Sequence, residues 1–398
     1  MRKRDRNGWP RVPIKEAYLG LYDGPHATPK PADDGPVFLG IGNITEGGHL
    51  DLRDIRYIAE KDYPQWTRRV TPRPDDIVFT YEATLNRYAI IPLGFRGCLG
   101  RRLALIRPNP ERVDARFLYY QFFGEDWRRT VSENTILGAT VDRIPLVRFP
   151  GFPIVLPPLP VQKRIAAILS AYDDLIKNNA RRIKILEEMA QAIYREWFVH
   201  FRFLGHKKVR LVNSPLGPTP EGWSVRKLRE VVELAYGKAL KAENRRKGNV
   251  PVYGSSGIVG FHDESLVSGP GIIVGRKGNV GTVHWCDGDF FPIDTVFYVQ
   301  TNIPLHYTYY NLQTQNFISG DAAVPGLSRA QAYSLPILVP AENVLTKFEG
   351  LVEGFFAATR NLQERNKKLR ETRDLLLPKL ISGEVDVSRL DIQGDAAI

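Results

Sequence analysis

Cysteine is nearly absent from this chain of 398 residues, which contains only Cys98 and Cys286, one in each half of the sequence. Two isolated thiols can supply neither a disulfide framework nor the clustered thiolates of a zinc site. The seven histidines are scattered without the regular spacing of metal ligands. The sequence therefore predicts no metal centre.

Long apolar runs are also missing from the chain. No stretch approaches the roughly 20 consecutive apolar residues that cross a membrane. The basic start, residues 1–6, is not followed by the apolar segment of a signal peptide. Because 43% of the residues are hydrophobic and 25% are charged, the composition is typical of a globular protein, which we expect in the cytoplasm.

The sequence lacks the complete motifs of the enzymes that act on DNA. Residues 38–42 match the F-x-G-x-G of S-adenosylmethionine methyltransferases, but residues 43–48 cannot easily form the helix that this motif requires. No Asn-Pro-Pro or Asp-Pro-Pro followed by an aromatic residue occurs, nor does the Glu-x-Lys of metal-dependent nucleases. Residues 275–281 lack the Gly-Lys-Ser/Thr ending of a phosphate loop and are interpreted as a turn between strands. We predict no catalytic residue.

Positive charge is in excess, with 55 Lys and Arg against 44 Asp and Glu, a net charge of +11. The excess lies in residues 1–340, whereas residues 341–398 are close to neutral. A surplus of this size indicates a polyanionic partner such as nucleic acid. A basic surface that serves only solubility is the alternative.

Two long helices are predicted, at about residues 161–201 and 344–381, each after a proline-rich stop. In both, apolar residues alternate at three- and four-residue spacing, as in a coiled-coil seam. The expected seam of the first helix is Ile165, Ile168, Tyr172, Leu175, Leu186, Met189 and Ile193. That of the second is Phe348, Leu351, Phe355, Ala358, Leu362, Leu369 and Leu376.

The chain repeats itself. A shift of 183 residues places Ile165 on Phe348 and Ile193 on Leu376. A helix predicted from Ala115 to about Arg129 has its counterpart at 307–317, where Tyr119-Tyr120-Gln121 matches Tyr309-Tyr310-Asn311 at an offset of 190. The repeat predicts two similar α/β (α+β) domains joined by two long helices that form an antiparallel intramolecular coiled coil. The expected boundaries are 1–156, 157–203, 204–340 and 341–385, with a tail at 386–398.

An ordered set of short motifs supports this organisation. In the first half they are residues 22–29, 40–44, 76–84 and Gly138-Ala139-Thr140. In the second half they are residues 253–257 and 271–281. Residues 156–165 and 377–384 mark the start of one long helix and the end of the other. The set resembles the specificity (S) subunit of type I restriction–modification enzymes, although Ala341-Glu342-Asn343 replaces the glutamine-containing start of that family's second long helix.

The resemblance implies a DNA-recognition subunit without catalysis of its own. Each target-recognition domain would read one half of a bipartite DNA target, and the helices would set the spacing and dock two methyltransferase (M) subunits. Nuclease/translocase (R) subunits would join to cleave unmethylated DNA. S-adenosylmethionine would then bind the methyltransferase partner, and ATP and Mg²⁺ the nuclease partner, with no cofactor in this chain.

Within these motifs and the nearby basic stretches, polar and cationic residues are the candidates for DNA contact, because base edges are read by hydrogen bonds and phosphates by cations. In the first domain they are His26, Thr28, Asn43, Tyr81, Thr84, Arg101 and Arg102. In the second they are Lys238, Tyr253, Ser255, Ser256, Arg276, Lys277 and Asn279.

Two other classes of function remain open from the sequence. One is a methyltransferase or nuclease fusion with its own activity, and the other is a structural adaptor whose domains bind proteins. If the helix pair is a spacer, removal of one turn from both helices changes the distance between half-sites but not their sequences.

Overall fold

The computed structural model describes residues 8–138, 141–318 and 326–390. The chain divides into two compact units, Met1–Lys177 with Asn366–Ile398, and Asn178–Arg365. Each long helix therefore contributes to both units. No helix of the described part is long and apolar enough to cross a membrane. Ala139 and Thr140 of one predicted motif, and most of the predicted tail, lie outside the described residues.

The first unit is built on a four-stranded antiparallel sheet and a three-stranded mixed sheet. Its strands and helices, in chain order, are β1 (Arg11–Pro13), β2 (Tyr18–Asp23), β3 (Ala32–Leu39), β4 (Arg56–Tyr57), α1 (Tyr63–Trp66), β5 (Ile77–Thr80), β6 (Tyr88–Ile90), β7 (Gly97–Leu99), β8 (Leu103–Pro108), α2 (Ala115–Gln121), α3 (Glu125–Asn134), β9 (Pro153–Val155) and α4 (Leu159–Tyr194).

The strand order of the larger sheet is β2-β8-β5-β6, and that of the smaller sheet is β4-β3-β7, in which β3 and β7 are parallel. Strand β1 pairs with β9. All four residues of the inner strand β5 are buried, as an apolar run in a sheet covered on both faces should be. Ile77 and Phe79 enter one core cluster, and Val78 enters another on the opposite face.

The second unit repeats this topology. Its elements are β10 (Leu211–Ser214), β11 (Gly217–Pro220), β12 (Ser224–Lys227), β13 (Val232–Tyr236), β14 (Val250–Gly254), β15 (Gly257–His262), β16 (Gly271–Gly275), β17 (Val283–Cys286), β18 (Phe291–Pro292), β19 (Val296–Thr301), α5 (Leu305–Thr314), α6 (Arg329–Ser334), β20 (Pro336–Val339) and α7 (Glu342–Ile381). Sheet order β13-β19-β16-β17 corresponds to β2-β8-β5-β6, and β15-β14-β18 corresponds to β4-β3-β7. The predicted duplication is confirmed.

Within each unit the two long helices run antiparallel. In the first unit, Asp173 of α4 pairs with Arg373 of α7 at 2.5 Å, and the Ile176 carbonyl accepts a hydrogen bond from the Asn366 amide at 3.2 Å. In the second unit, Phe348 of α7 packs against aromatic rings on and just beyond α4. The ring centroids of Tyr194, Trp197 and Phe198 lie 6.3, 6.1 and 4.8 Å from that of Phe348.

Part of the predicted seam is wrong. Leu175, Met189 and Leu351 are exposed, whereas Ala190 and Val352 are buried instead. The buried positions of α7 near its start are Val344, Leu345, Phe348 and Val352. This stripe is wider than a two-position seam, because here the helix packs on the globular part of its unit as well as on α4. The predicted helix from Ala115 to Arg129 is also interrupted. It divides into α2, which ends at Gln121, and α3, which begins after Gly124, the extended N-cap residue.

The start of each long helix is secured differently in the two repeats. Gln162 is fully buried; its side-chain oxygen accepts from the Asp114 amide at 2.9 Å, and its side-chain NH₂ donates to the carbonyls of Arg112 and Pro157. The residue at the equivalent position of α7 is the buried Leu345. Asp114 precedes α2, and its counterpart before α5 is Pro304. Because proline has no N–H, the second repeat has no amide there that needs an acceptor, and an apolar side chain suffices.

We expect Gln162→Leu to lower the free energy of unfolding by about 3 kcal/mol, because a buried N–H and two carbonyls lose their partner. Leu345→Gln should cost about 2 kcal/mol, since it places an amide without partners in an apolar core. Lys163→Leu, at the exposed neighbouring position, should change stability by less than about 0.5 kcal/mol. Urea unfolding of the three variants measures these differences. A Gln162→Leu protein as stable as the parent would contradict this role of the amide.

Candidate nucleic-acid interface

Two loops of the larger sheet lie at the same end of that sheet in each unit. They follow β2 and β5 in the first unit, and β13 and β16 in the second. We call this end of the sheet the edge of the unit. In the first unit, the chain leaves β5 at Tyr81, whose N–H donates to the Arg102 carbonyl at 3.1 Å. The Tyr81 carbonyl accepts from the Ile144 amide at 2.7 Å. In the second unit, Arg276 follows β16 and makes the same two contacts, with the Thr295 carbonyl and the Leu327 amide. Tyr81 and Arg276 are therefore equivalent.

The backbone of the two loops confirms this equivalence. Two residues after Tyr81, Ala83 has φ 68°, and two residues after Arg276, Gly278 has φ 77°. A left-handed backbone is unfavourable for alanine and acceptable for glycine, so the tertiary contacts of the first loop must hold Ala83 there. Its N–H donates to the Asp142 carbonyl at 2.9 Å. The loop geometry is thus shared although its residues differ.

Equivalent positions on these edges carry different charges. Glu82 of the first unit corresponds to Lys277 of the second, and Asp23 at the end of β2 corresponds to Tyr236 at the end of β13. Gly24 and Gly237, the residues that follow, donate to the equivalent carbonyls of Leu103 and Val296. One edge therefore presents carboxylates where the other presents an ammonium group and an aromatic ring.

The edge of the first unit is a network of opposite charges. The Asp23 carboxylate accepts from the Arg69 guanidinium at 2.6 Å and contacts His26 at 3.1 Å. Glu82 lies 3.7 Å from Arg102, and Arg101 is exposed beside it. Burial, followed by the Asp23 and Glu82 carboxylates, raises the pKa of the Tyr81 hydroxyl to about 12. This phenol stays protonated at neutral pH, and within the described residues its hydroxyl has no hydrogen-bond partner.

The edge of the second unit is tied together by Ser255. Its hydroxyl accepts from the Asn279 amide at 3.4 Å, and its carbonyl accepts from Thr282 at 2.7 Å. Lys277 and Ser256 are exposed next to it. The predicted glycine-rich turn at 275–281 is confirmed as the connection between the antiparallel strands β16 and β17.

Apart from Tyr81, which lies on the edge of the first unit with its side chain buried, the candidates predicted from the sequence fall into two groups. Asn43 and Tyr253 hold the fold: Asn43 accepts from the Gly40 amide and donates to the carbonyls of Asp51 and Asp54, while Tyr253 is buried in a core cluster. Whether these two also contact DNA stays a prediction. Others lie on the two edges or in the loops beside them, with their side chains partly or fully exposed: His26, Thr28, Thr84, Arg101, Arg102, Lys238, Ser255, Ser256, Arg276, Lys277 and Asn279.

Glu82, Tyr236 and Arg329 also lie on these edges but are not among the candidates predicted from the sequence. Glu82 could have been found by setting the first motif, Tyr81 to Thr84, beside the second, Arg276 to Asn279. Tyr236 and Arg329 stand outside every motif, and only strand pairing and helix packing bring them to the edge. Among the residues that the structure describes, no group of three or more His, Cys, Asp and Glu could hold a metal ion.

Comparison with known proteins agrees with this architecture. The model of the family described as the type I restriction modification DNA specificity domain matches residues 38–188 and 220–344. The MjaIX specificity subunit of a type I restriction enzyme of Methanocaldococcus jannaschii is 25% identical, over 96% of this chain and 90% of that protein. The HindI specificity subunit of Haemophilus influenzae is 19% identical, over 88% and 94% respectively.

Among solved structures, the S subunit of a type I restriction-modification system from M. genitalium is similar in fold. It aligns with a TM-score of 0.57 and 17% identity, over 95% of this chain and 97% of that one. The two matches of the family model fall on the two repeats of the fold, one in each half of the chain. The chain therefore belongs to the family of type I restriction-modification DNA specificity domains, of which it contains two copies.

Proposed function

We propose that this chain is the DNA sequence-specificity subunit of a type I restriction–modification complex. The observation that carries the proposal is the pair of topologically equivalent edges with different chemistry, within two family domains of one chain. Two equivalent readers with different side chains suit a target of two unlike halves. The net charge of +11 supports a nucleic-acid partner.

The chemistry of the edges favours particular bases in each half-site. A carboxylate such as Glu82 can accept a hydrogen bond from the amino group of cytosine, whereas a cation such as Lys277 can donate to the O6 and N7 of guanine. We infer that, at these equivalent positions, the first unit accepts a hydrogen bond from a base in the major groove and the second unit donates one.

The long helices suit a spacer that also docks partners. Each contributes to both units, so a change in their length acts on both. We propose that two methyltransferase subunits dock on them, that nuclease/translocase subunits complete the complex, and that the assembly works in the cytoplasm. The chain itself would have no catalytic role: S-adenosylmethionine would bind the methyltransferase subunits, and ATP and Mg²⁺ the nuclease subunits.

Selection from a random duplex pool tests the function. We expect the full chain with its methyltransferase partner to enrich one bipartite sequence, and the chain alone to show neither methyl transfer nor DNA cleavage. Activity of the chain alone would favour a fused enzyme. Absence of any preferred sequence, with weak salt dependence, would favour a protein-binding adaptor.

We expect Lys277→Ala to relax the preference at one position of one half-site by about 1–3 kcal/mol and to leave the other half-site unchanged. Glu82→Gln should act on the other half-site alone, because it lies in the other unit. Lys227→Ala, which removes an exposed charge at the end of β12, is the matched control and should alter neither half-site. Sequencing of selected duplexes measures the preference. A Lys277→Ala protein that selects the parental sequence with parental stringency would contradict base reading by this residue.

A further inference from the structure

The surface of the second unit contains an aromatic ring between two cations. Tyr236, the last residue of β13, is 52% exposed. The guanidinium carbon of Arg276 lies 5.3 Å from the centroid of its ring, and that of Arg329 lies 4.9 Å from it. Both distances are within the range of attraction between a cation and a ring. We call these three side chains the Arg–Tyr–Arg clamp.

The clamp is held by buried neighbours. Tyr236 pairs in register with Phe297 of β19, whose ring is fully buried and has its centroid 5.0 Å away. The guanidinium carbon of Arg329 also lies 5.7 Å from the ring of Tyr333, whose hydroxyl accepts from the Leu234 amide at 3.1 Å. The ring of Tyr236 thus has packed support on one side, and both arginines are placed before any ligand arrives.

The cations of the clamp are not neutralised within the described part of the chain, where neither Arg276 nor Arg329 forms an ion pair with a carboxylate. Arg276 donates from its Nε and one terminal nitrogen to the carbonyl of Asp294. A guanidinium has five N–H donors, so three of its donors remain. Among the described residues, two guanidinium groups without a carboxylate partner and with free donors therefore form a receptor for an anion that accepts several hydrogen bonds.

The first unit lacks this arrangement at the same position. There the residue equivalent to Tyr236 is Asp23, whose carboxylate binds Arg69 and His26. The arginine of the first unit, Arg69, is therefore already paired with a carboxylate. The two units hold arginines at equivalent edges by opposite means, a carboxylate in the first and an aromatic ring in the second.

We propose that the Arg–Tyr–Arg clamp binds the phosphodiester backbone of duplex DNA. The second recognition domain then has a sequence-independent, salt-dependent contact that the first domain lacks at the equivalent position. The inference rests on the proposed function and adds a division of labour to it. Phosphate contacts position a protein on the duplex without reading its sequence, so the clamp anchors the chain while both units read bases. Tyr236 is a positioning residue, and the two arginines touch the backbone.

Salt-dependent binding tests the clamp. The affinity of the full chain is measured between about 50 and 200 mM KCl on a mixed-sequence duplex of about 40 base pairs and on the selected duplex. We expect Arg329→Ala to reduce the slope of log affinity against log salt by about 0.9, and the affinity at about 150 mM by roughly five-fold. The loss should be equal on the two duplexes, because a phosphate contact does not depend on sequence. Arg276→Ala should behave alike, because its contact is also to phosphate.

Substitutions of the ring separate positioning from charge. Tyr236→Leu removes no charge, yet we expect a loss of about three-fold or more, since both guanidinium groups lose the ring that places them. Tyr236→Phe keeps the ring and should bind like the parent. Lys227→Ala removes one exposed charge at the end of β12 and should keep the parental slope. Thermal unfolding confirms that the variants, all at surface positions, are folded.

Each outcome has a distinct meaning. A parental slope in either Arg329→Ala or Arg276→Ala overturns the clamp while leaving the proposed function intact. A loss confined to the selected duplex also overturns it, because that would be base reading. Tyr236→Leu with parental affinity overturns the positioning role of the ring. If the parent chain itself binds duplex DNA without salt dependence or preferred sequence, the proposed function fails instead.

Discussion

A chain without residues 178–184 and 359–365 is expected to select a bipartite target whose halves lie about three base pairs closer together. The paired deletion removes seven residues from each long helix, or about 10.5 Å of helix, against a rise of about 3.4 Å for each base pair. Seven residues are two turns, so the buried stripes of both helices keep their faces. The sequences of the half-sites should be unchanged, since the edges that read them are untouched. Selection from a random duplex pool measures both properties.

Deletion of one segment alone is the control for the paired deletion. The contact between the Ile176 carbonyl and Asn366 lies just outside both deleted segments. Deletion of 178–184 alone shifts α4 against α7 and should abolish tight bipartite binding, because the antiparallel contacts no longer match. A paired deletion that selects the parental spacing would contradict the role of the helices as a spacer.

Phe348→Ala is expected to lower the free energy of unfolding by about 3–5 kcal/mol, the largest effect that we expect from a single substitution. Phe348 is fully buried, and it joins α7 to the rings of Tyr194, Trp197 and Phe198. Truncation removes both the buried area and the edge-to-face contacts. Unfolding followed by tryptophan fluorescence measures the change, because Trp197 lies in the same cluster.

Leu351→Ala is the matched control for Phe348→Ala. Both positions belong to the seam predicted from the sequence, but Leu351 is 44% exposed. We expect a change within about 0.5 kcal/mol. Equal losses at the two positions would mean that Leu351 belongs to the seam after all, as its spacing predicted.

The long helices and the duplication could be predicted from the sequence because periodicity is a local property. The exposure of Leu175, Met189 and Leu351 could not be predicted from the sequence, since burial depends on which part of the unit each turn of the helix faces. The break between α2 and α3 had a local signal, Gly124, whose effect depends on packing around it. Periodicity alone therefore locates such helices better than it locates their buried faces.

Only part of the candidate interface could be predicted from the sequence. Motif residues such as Lys277 and Ser255 lie on the edge because glycine-rich turns join its strands. Tyr236 and Arg329 are far apart in the chain, and one side chain meets the other only through the pairing of β13 with β19 and the packing of α6. A motif search cannot find a site of this kind, because no short segment contains it.

The different starts of the two long helices limit how the repeats can be recombined. Gln162 accepts a hydrogen bond from the Asp114 amide in the first repeat, and Leu345 and Pro304 occupy the equivalent positions of the second repeat. A chimera that grafts the α5 region before α4 would leave the Gln162 oxygen without its donor, and the reverse graft would leave the Asp114 amide facing leucine. Shuffling of specificities between copies of this fold therefore favours crossover points that keep each short helix with its own long helix.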